Sequence, residues 1–388
     1  VAVRRPPDRK QRIAAAAADL FRERGFRNVS VADVAEAVGI TAPALYRHFK
    51  NKQALLGYVV SDGLEVMDRI GREAESLDEL LRAAIALVAD QRGLATLWRR
   101  EARHLPEAER EELRHHLSGI AGRYAALIRA ERPDLPEADS TLLAWSLLGV
   151  LASLAGHRYS LPRRRLEALL TRLTSTVVRC ELGTAAPSEP TEAVPDPAQL
   201  AQPFALSRRE QMLTEAIRLF DERGFQSVST DDIGEAVGTS GPNVYKHFPS
   251  KTDLLVAGVV RGGERRAAGT AQALARGGDP RQTLDLLLHA HIDFALENGH
   301  LLGLLLSELD QLPEEQRKRS LQVQREYVEL WVKVLDQAAP GLDATEAKIV
   351  VLAVLSVVDS AARTGRLRSR PDLDDRLFEI GTALLLAR

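Results

Sequence analysis

With 388 residues, 45% of them hydrophobic and 27% charged, the chain has material for two or three globular domains, each able to bury its own core. No run of about 18 apolar residues offers a bilayer span, and a single cysteine, Cys180, excludes an internal disulfide or a Cys-based metal cluster. The formal net charge of −2 speaks against a nucleic-acid partner only as an average, because a chain-wide mean hides local fields.

The local fields differ. Residues 1–60 carry eleven Lys and Arg against five Asp and Glu, a net +6, whereas residues 200–259 carry six against eight, a net −2. The first ten residues, VAVRRPPDRK, are basic and run into an Ala-rich amphipathic stretch without the apolar centre of a secretion signal, so the cytoplasm is the expected location. Arg4 and Arg5 there could lie along a minor groove as an arm, or form an untethered tail.

Helical periodicity begins at about Arg9 and ends at Gly25, the kind of residue that closes a helix in the left-handed conformation. Ser30, three residues before Asp33, predicts an N-cap and a short second helix from Val31 to Val38, stopped by Gly39. Thr41 can cap a third helix, expected from Ala42 to about Phe49, with Pro43 in its first turn where a missing N–H costs little. Asn51-Lys52 then opens a longer helix, to about Ile70. Two short helices joined by a Gly-bearing turn form a helix-turn-helix, whose second helix can enter the major groove of DNA. Leu45 and Phe49 face the core, and the small residues Ala42 and Ala44 let the backbone approach base edges.

The pattern returns. Phe21–Leu56 and Phe220–Leu255 share 19 identities in 36 gapless positions at an offset of 199, and EARHLPEAER (Glu101–Arg110) answers ELDQLPEEQR (Glu308–Arg317) at an offset of 207. A repeat near 200 residues is a duplicated domain rather than a solenoid. Between the copies, Gly183–Leu206 holds five prolines and no Lys or Arg, which predicts an extended linker reaching roughly 80 Å when taut at ~3.3 Å per residue. Each copy reads as all-α with roughly nine helices, since no strand alternation appears.

The residues Phe21, Gly25-Phe26, Val29-Ser30, Asp33-Val34-Ala35, Gly39, Leu45-Tyr46-Arg47-His48-Phe49, Lys52 and Leu55-Leu56 resemble the DNA-binding domain of the TetR family of bacterial regulators, and the second copy matches as well. The resemblance is strong over about 60 residues in each half and loose beyond. It implies two tandem units, each a three-helix head on a larger helical domain that dimerises and encloses an inducer pocket. The expected divisions are a head at 1–60, a regulatory domain at 61–182, the linker at 183–206, a second head at 207–259 and a second regulatory domain at 260–388.

The resemblance further implies DNA-backbone contacts at Tyr46, Arg47 and His48, repeated at Tyr245, Lys246 and His247, and a phosphate clamp at Lys52 and Lys251; for the histidines, simple packing stands beside backbone contact. No Cys, Asp or Glu at ligand spacing supports a metal reading. The base-reading positions differ between copies. Thr41, Ala42, Ala44 and Arg47 suit a thymine methyl and phosphate or guanine, whereas copy two offers Ser240, Gly241, Asn243 and Lys246, of which Asn243 could pair bidentately with adenine.

In the larger domains, Leu142–Gly156 and Ile349–Ala362 are apolar around most of their circumference and must be covered on several sides, as core helices or as part of a dimer bundle. Because the linker makes the partner's effective concentration millimolar, an intrachain pseudo-dimer without an obligatory partner chain is expected. Pocket candidates are Trp98, His104, Tyr124, Trp145 and His157 in copy one and His289, His291, His300, Tyr327 and Trp331 in copy two, and the Leu/Ala/Val lining suits an apolar inducer. No cofactor is implied. With no phosphate-cradling loop, nucleophile elbow or paired carboxylates, an enzyme is not expected. The expected function is a transcriptional regulator, a repressor released by a small molecule, binding a double-stranded DNA operator; the alternative is an interaction protein whose acidic second head no longer binds DNA.

Overall fold

The computed structural model describes residues 9–90, 97–154, 161–183 and 207–387, with the backbone alone at 99–100. The expectations placed on Arg4, Arg5, His157 and the body of the linker lie outside the described residues. The chain divides into two compact units, Val1–Val178 and Arg179–Arg388. Among the described residues there are helices and turns and no strand.

In the first unit, α1 (Arg9–Arg24), α2 (Val31–Ala37) and α3 (Ala42–Tyr46) form the head, and α4 (Lys52–Glu73) leads into a body of α5 (Leu77–Asp90), a π-helical turn at Leu97–Glu101, α6 (Glu107–Glu131), α7 (Glu137–Ala152) and α8 (Arg163–Arg179). The second unit repeats this order. Its head is α9 (Arg208–Arg223), α10 (Thr230–Ala236) and α11 (Gly241–Val244); its body is α12 (Lys251–Arg276), α13 (Pro280–Glu297), α14 (Gly299–Ser307), α15 (Glu314–Ala338), α16 (Ala344–Arg363), α17 (Gly365–Arg368) and α18 (Leu373–Leu385).

The head's core follows from helical spacing. Ile13, Ala17 and Phe21, each four residues from the next, are fully buried with Val34 and Leu45. Gly25 stands at φ 79° and Gly224 at φ 80°, conformations side chains resist, and they turn Phe26 and Phe225 back onto Phe21 and Phe220 at the same ring separation of 5.2 Å. The expected capping boxes are present in both heads: the Ser30 hydroxyl accepts from Asp33 N at 3.1 Å while the Ser30 N–H donates to Asp33 Oδ2 at 2.6 Å, and Ser229 with Asp232 repeats it.

Two boundaries and one cap differ from expectation. α2 ends one residue early at Ala37, with Val38 as its C-cap. α3 ends at Tyr46 rather than near Phe49, because the chain tightens into a turn with His48 N donating to Leu45 O at 2.9 Å, so that Asn51 can cap α4 by accepting from Ala54 N at 2.7 Å. Thr41 is the N-cap of α3 by position but its side chain makes no capping bond; Pro43 removes one N–H, and the Ala44 N–H donates to the Thr41 carbonyl instead, at 2.9 Å. Ser240, ahead of Pro242, behaves alike.

In the bodies, α7 is buried nearly all round, including Leu142, Leu143, Ala144, Leu147 and Val150, and α16 likewise. The hydroxyls of Ser146 and Ser153 bond carbonyls of their own helix, at 2.8 Å to Leu142 O and 2.6 Å to Val150 O, which lets polar residues sit in that apolar surface. Cys180 is buried.

Candidate nucleic-acid interface

In each head the third helix is anchored by its apolar side and presents the other. Leu45 is fully buried and Phe49 nearly so, while Thr41, Tyr46, Arg47 and His48 are exposed and Ala42 and Ala44 are half-buried. Tyr46 is 52% exposed and Tyr245 54%, the largest exposures of any large hydrophobic side chain described. Two equivalent tyrosines left in water on a helix that could have buried them point to a surface kept for a partner.

The lysines after the third helix are fastened inward. Lys251 Nζ donates to Phe225 O at 2.9 Å and Val228 O at 2.8 Å and lies 4.4 Å from the Phe225 ring centre, so two of its three protons hold the turn between α9 and α10. Lys52 takes the same position more loosely, 3.4 Å from Arg27 O and 4.2 Å above Phe26. Burial, then the nearby Arg27, press its pKa down. The two lysines, read from the sequence as phosphate clamps, here tie the head's turn to the first residue of α4 and of α12.

Two of the base-reading positions expected in the second head are engaged within the head itself. Asn243 is half-buried and its Nδ2 donates to Thr239 Oγ1 at 2.8 Å, so pairing bidentately with a base requires giving up an internal bond. Gly241 is buried rather than offered to solvent, because the carboxylate of Asp231 occupies the space its Cβ would take. Ser240, Tyr245, Lys246 and His247 remain exposed.

The cationic groups around the third helix differ more than their number suggests. Arg9 and Arg12 are exposed and line a cleft with Ile13, Val38, Gly39 and Ile40 beside the helix-turn-helix turn. At the equivalent positions the second head has Arg208, whose guanidinium donates to Val237 O at 2.6 Å and Gln211 Oε1 at 3.0 Å, and Gln211 itself.

Each head is bolted to its body by a carboxylate that sequence reading noticed only as a repeated motif. Glu101, 2% exposed, accepts the Phe26 N–H at 3.1 Å, with His104 Nε2 3.6 Å away and the His104 ring stacked on Phe26 at 5.2 Å. Glu308 is buried at the equivalent place beside Gly224. The signal was an acid at the same position of both copies, within the repeated motif EARHLPEAER and ELDQLPEEQR. The second unit adds Asp221 at the end of α9, bonded to His300 Nδ1 and Arg363, each at 2.9 Å.

The pocket candidates scatter. His104 belongs to that head–body joint, Trp98 is half-buried at the edge of the head's core, Tyr124 is fully buried with its hydroxyl unbonded, and Trp145 is half-buried on α7. Burial raises the Tyr124 pKa. In the second unit His289 is exposed and stacked on Phe378, and His300 serves the joint, whereas His291, Tyr327 and Trp331 do come together. One histidine-carboxylate trio, Glu65, Asp68 and His116, has its ligand atoms within 4.8 Å, but Arg72 and Arg123 already bond its carboxylates, which makes it an ion-pair network.

An exposed third helix followed by a basic residue, set on a capped three-helix head and joined to a larger helical body, defines a helix-turn-helix DNA-binding regulator. Comparison with known proteins agrees. The profile of the bacterial regulatory proteins of the tetR family matches twice, at residues 13–59 and 212–257, and that of the tetracyclin repressor-like C-terminal domain matches residues 277–363. The HTH-type transcriptional activator FasR of Mycolicibacterium smegmatis is 30% identical over 172 residues, 44% of this chain and 78% of FasR; the HTH-type transcriptional repressor KstR2 of the same organism is 26% identical over 110 residues, 26% of this chain and 54% of KstR2. A TetR-family regulator structure from Bordetella parapertussis 12822 aligns with a TM-score of 0.43 at 23% identity, over 46% of this chain and 93% of that one. The chain belongs to the TetR family of DNA-binding transcriptional regulators, with the family's head present twice, and not to a family of enzymes. No helix among the described residues is long and apolar enough to cross a membrane.

Proposed function

We propose that the chain is a two-headed regulator that reads one asymmetric operator, each head taking one of two unlike half-sites, and that a small molecule bound in the bodies releases it. The observation that carries this reading is that two heads with the same core, caps and exposed tyrosine differ where bases are read: Thr41, Ala42, Ala44 and Arg47 against Ser240, Gly241, Asn243 and Lys246. Tyr46, His48, Tyr245 and His247 contact the DNA backbone beside them. The divisions at 60, 182, 206 and 259 separate heads, bodies and linker, and the linked bodies form an intrachain pseudo-dimer at ordinary concentrations. The buried joints at Glu101 and Glu308 supply the coupling, because a body that shifts must carry the head's turn with it.

The test is selection of bound duplexes from random DNA by the full chain, followed by titration. Two unlike half-sites about one or two helical turns apart, at one duplex per chain, are expected; a perfect palindrome bound by two chains overturns the reading. A second reading, in which the second head no longer touches DNA, is favoured by the Asp231 carboxylate against Gly241, where it would repel a phosphate. Under that reading, selection returns a single half-site.

A further inference from the structure

The two bodies are copies, and their helices keep register: α13 matches α5, α15 matches α6 and α16 matches α7 at an offset of 207, and α12 starts 199 residues after α4. Across these helices most core positions stay apolar. Five of the differences stand together. Where the first body has Met67, Ala84, Ile120, Tyr124 and Ala152, all buried, the second has Arg266, His291, Tyr327, Trp331 and Asp359.

These five meet. Tyr327 Oη lies 3.1 Å from His291 Nδ1, His291 Nε2 lies 3.2 Å from Asp359 Oδ1, and the Arg266 guanidinium sits 4.4 Å over the Tyr327 ring, with Trp331 edge-on to both rings at about 6 Å. The rings of Trp331 and His291 are almost wholly buried. Asp359 faces histidine, and among the described residues no carboxylate or carbonyl comes within hydrogen-bond reach of the Arg266 guanidinium. Burial presses its pKa down. The first body does the opposite with its own buried charge, Asp68, which both Arg72 and Arg123 neutralise. The guanidinium is half-buried and, among the described residues, makes no ion pair with a carboxylate, and a planar fork of donors of this kind fits an oxyanion.

We propose that the second body alone carries the effector site, and that it takes a small organic anion, an apolar molecule ending in a carboxylate or phosphate, with the oxyanion held by Arg266 and the Tyr327 hydroxyl. His291 lies within hydrogen-bond distance of that hydroxyl, with Asp359 beside its other nitrogen. The first body, with no charged residue or histidine at the same five positions, serves as a packed scaffold. The inference deepens the inducer-release reading above and rests on it.

Calorimetric titration of the full chain without DNA tests it with four probes: octanoate, dodecanoate, octyl phosphate and methyl dodecanoate. The expected result is one site per chain, with an oxyanion bound at least tenfold more tightly than the ester; the carboxylates and the phosphate compete as alternatives, and their ranking names the group. Arg266→Met, which restores the residue of the first body, should lose at least tenfold for the anion and leave ester binding unchanged, and Arg266→Lys should recover part of the loss. Should Arg266→Met fail to fold by circular dichroism, Tyr327→Phe, which deletes one hydroxyl, must weaken the anion in its place. Two sites per chain, anions no tighter than the ester, no binding by any probe, or variants that bind like the parent each overturn the proposal. Operator binding by the ligand-free chain is measured separately, so a failure of the DNA reading leaves the ligand result standing, and the reverse.

Discussion

The two heads share a core to within a ring distance yet differ in how their second and third helices approach each other. In the first head Ala35 and Ala42 separate them; in the second Gly234 and Gly241 stand there, and a Cβ on Gly234 would come within 2.8 Å of the Gly241 nitrogen. The closer approach leaves no room for a methyl at Gly241, where Asp231 now lies in place of Ala32. An acid near a helix start favours the helix dipole and disfavours an incoming phosphate. The second copy therefore keeps the helix-turn-helix geometry at the expense of its electrostatic attraction, whereas the first keeps Arg9 and Arg12 exposed beside its turn. Duplication preserved the scaffold and released the surface.

The largest test of that contrast is salt dependence. Each neutralised phosphate adds about 0.9 to the slope of log affinity against log salt. Removing Arg9, Arg12 and Arg47 together by alanine substitution should cut the slope by about 2 to 3 and weaken binding to every duplex, if each arginine meets one phosphate. Arg208→Ala with Lys246→Ala should cut it by about 1 or less, since Arg208 is already spent on Val237 and Gln211. Equal losses from the two heads would break the comparison.

Next in size is the joint. Glu101→Ala leaves the buried Phe26 N–H without its acceptor, a cost on the order of 1–3 kcal/mol in the stability of the first unit. Chemical denaturation checks this, and the more diagnostic readout is operator affinity: a loosened joint should make DNA binding less responsive to effector while leaving the salt slope unchanged. Asn243→Ala comes third. If Asn243 reads a base it narrows the gap between selected and random DNA by about 1–3 kcal/mol; if it only braces Thr239, it lowers the stability of the head and leaves that gap intact.

What the sequence made legible were the features written in local chemistry. The capping boxes at Ser30 and Ser229, the glycine turns at Gly25 and Gly224, the helical spacing of Ile13, Ala17 and Phe21 and the duplication itself are each set by residues within a few positions of one another, or by direct comparison of the copies. What escaped depends on partners far along the chain. The internal bonds of Lys52 and Lys251 were not legible because the carbonyls that accept them lie some 25 residues away, and the role of Glu101 rests on an amide 75 residues back. The grouping of Arg266, His291, Tyr327, Trp331 and Asp359 joins four helices, so a list of single aromatic and histidine candidates found three of its members and missed the two charges that give it meaning.

The smallest expected effect is the one that should be equal in the two heads. Asp33 and Asp232 both have pKa values held below the usual carboxylate range, first by the hydroxyl and then by the backbone N–H of Ser30 and Ser229. A depressed folded-state pKa means the contribution is complete above the unfolded value near 4 and is lost as pH falls through the folded one. Both caps should therefore be intact at pH 7 and fade together below about pH 4. Asp33→Asn and Asp232→Asn should remove the same small part of the acid dependence from thermal melts of the full chain, and should leave the salt slope of operator binding at pH 7 almost unchanged. A marked difference between the two substitutions would mean that the heads diverged in scaffold as well as in surface, since the caps are built from the same four groups at the same spacing, with distances of 3.1 and 2.6 Å in one head and 3.0 and 2.6 Å in the other.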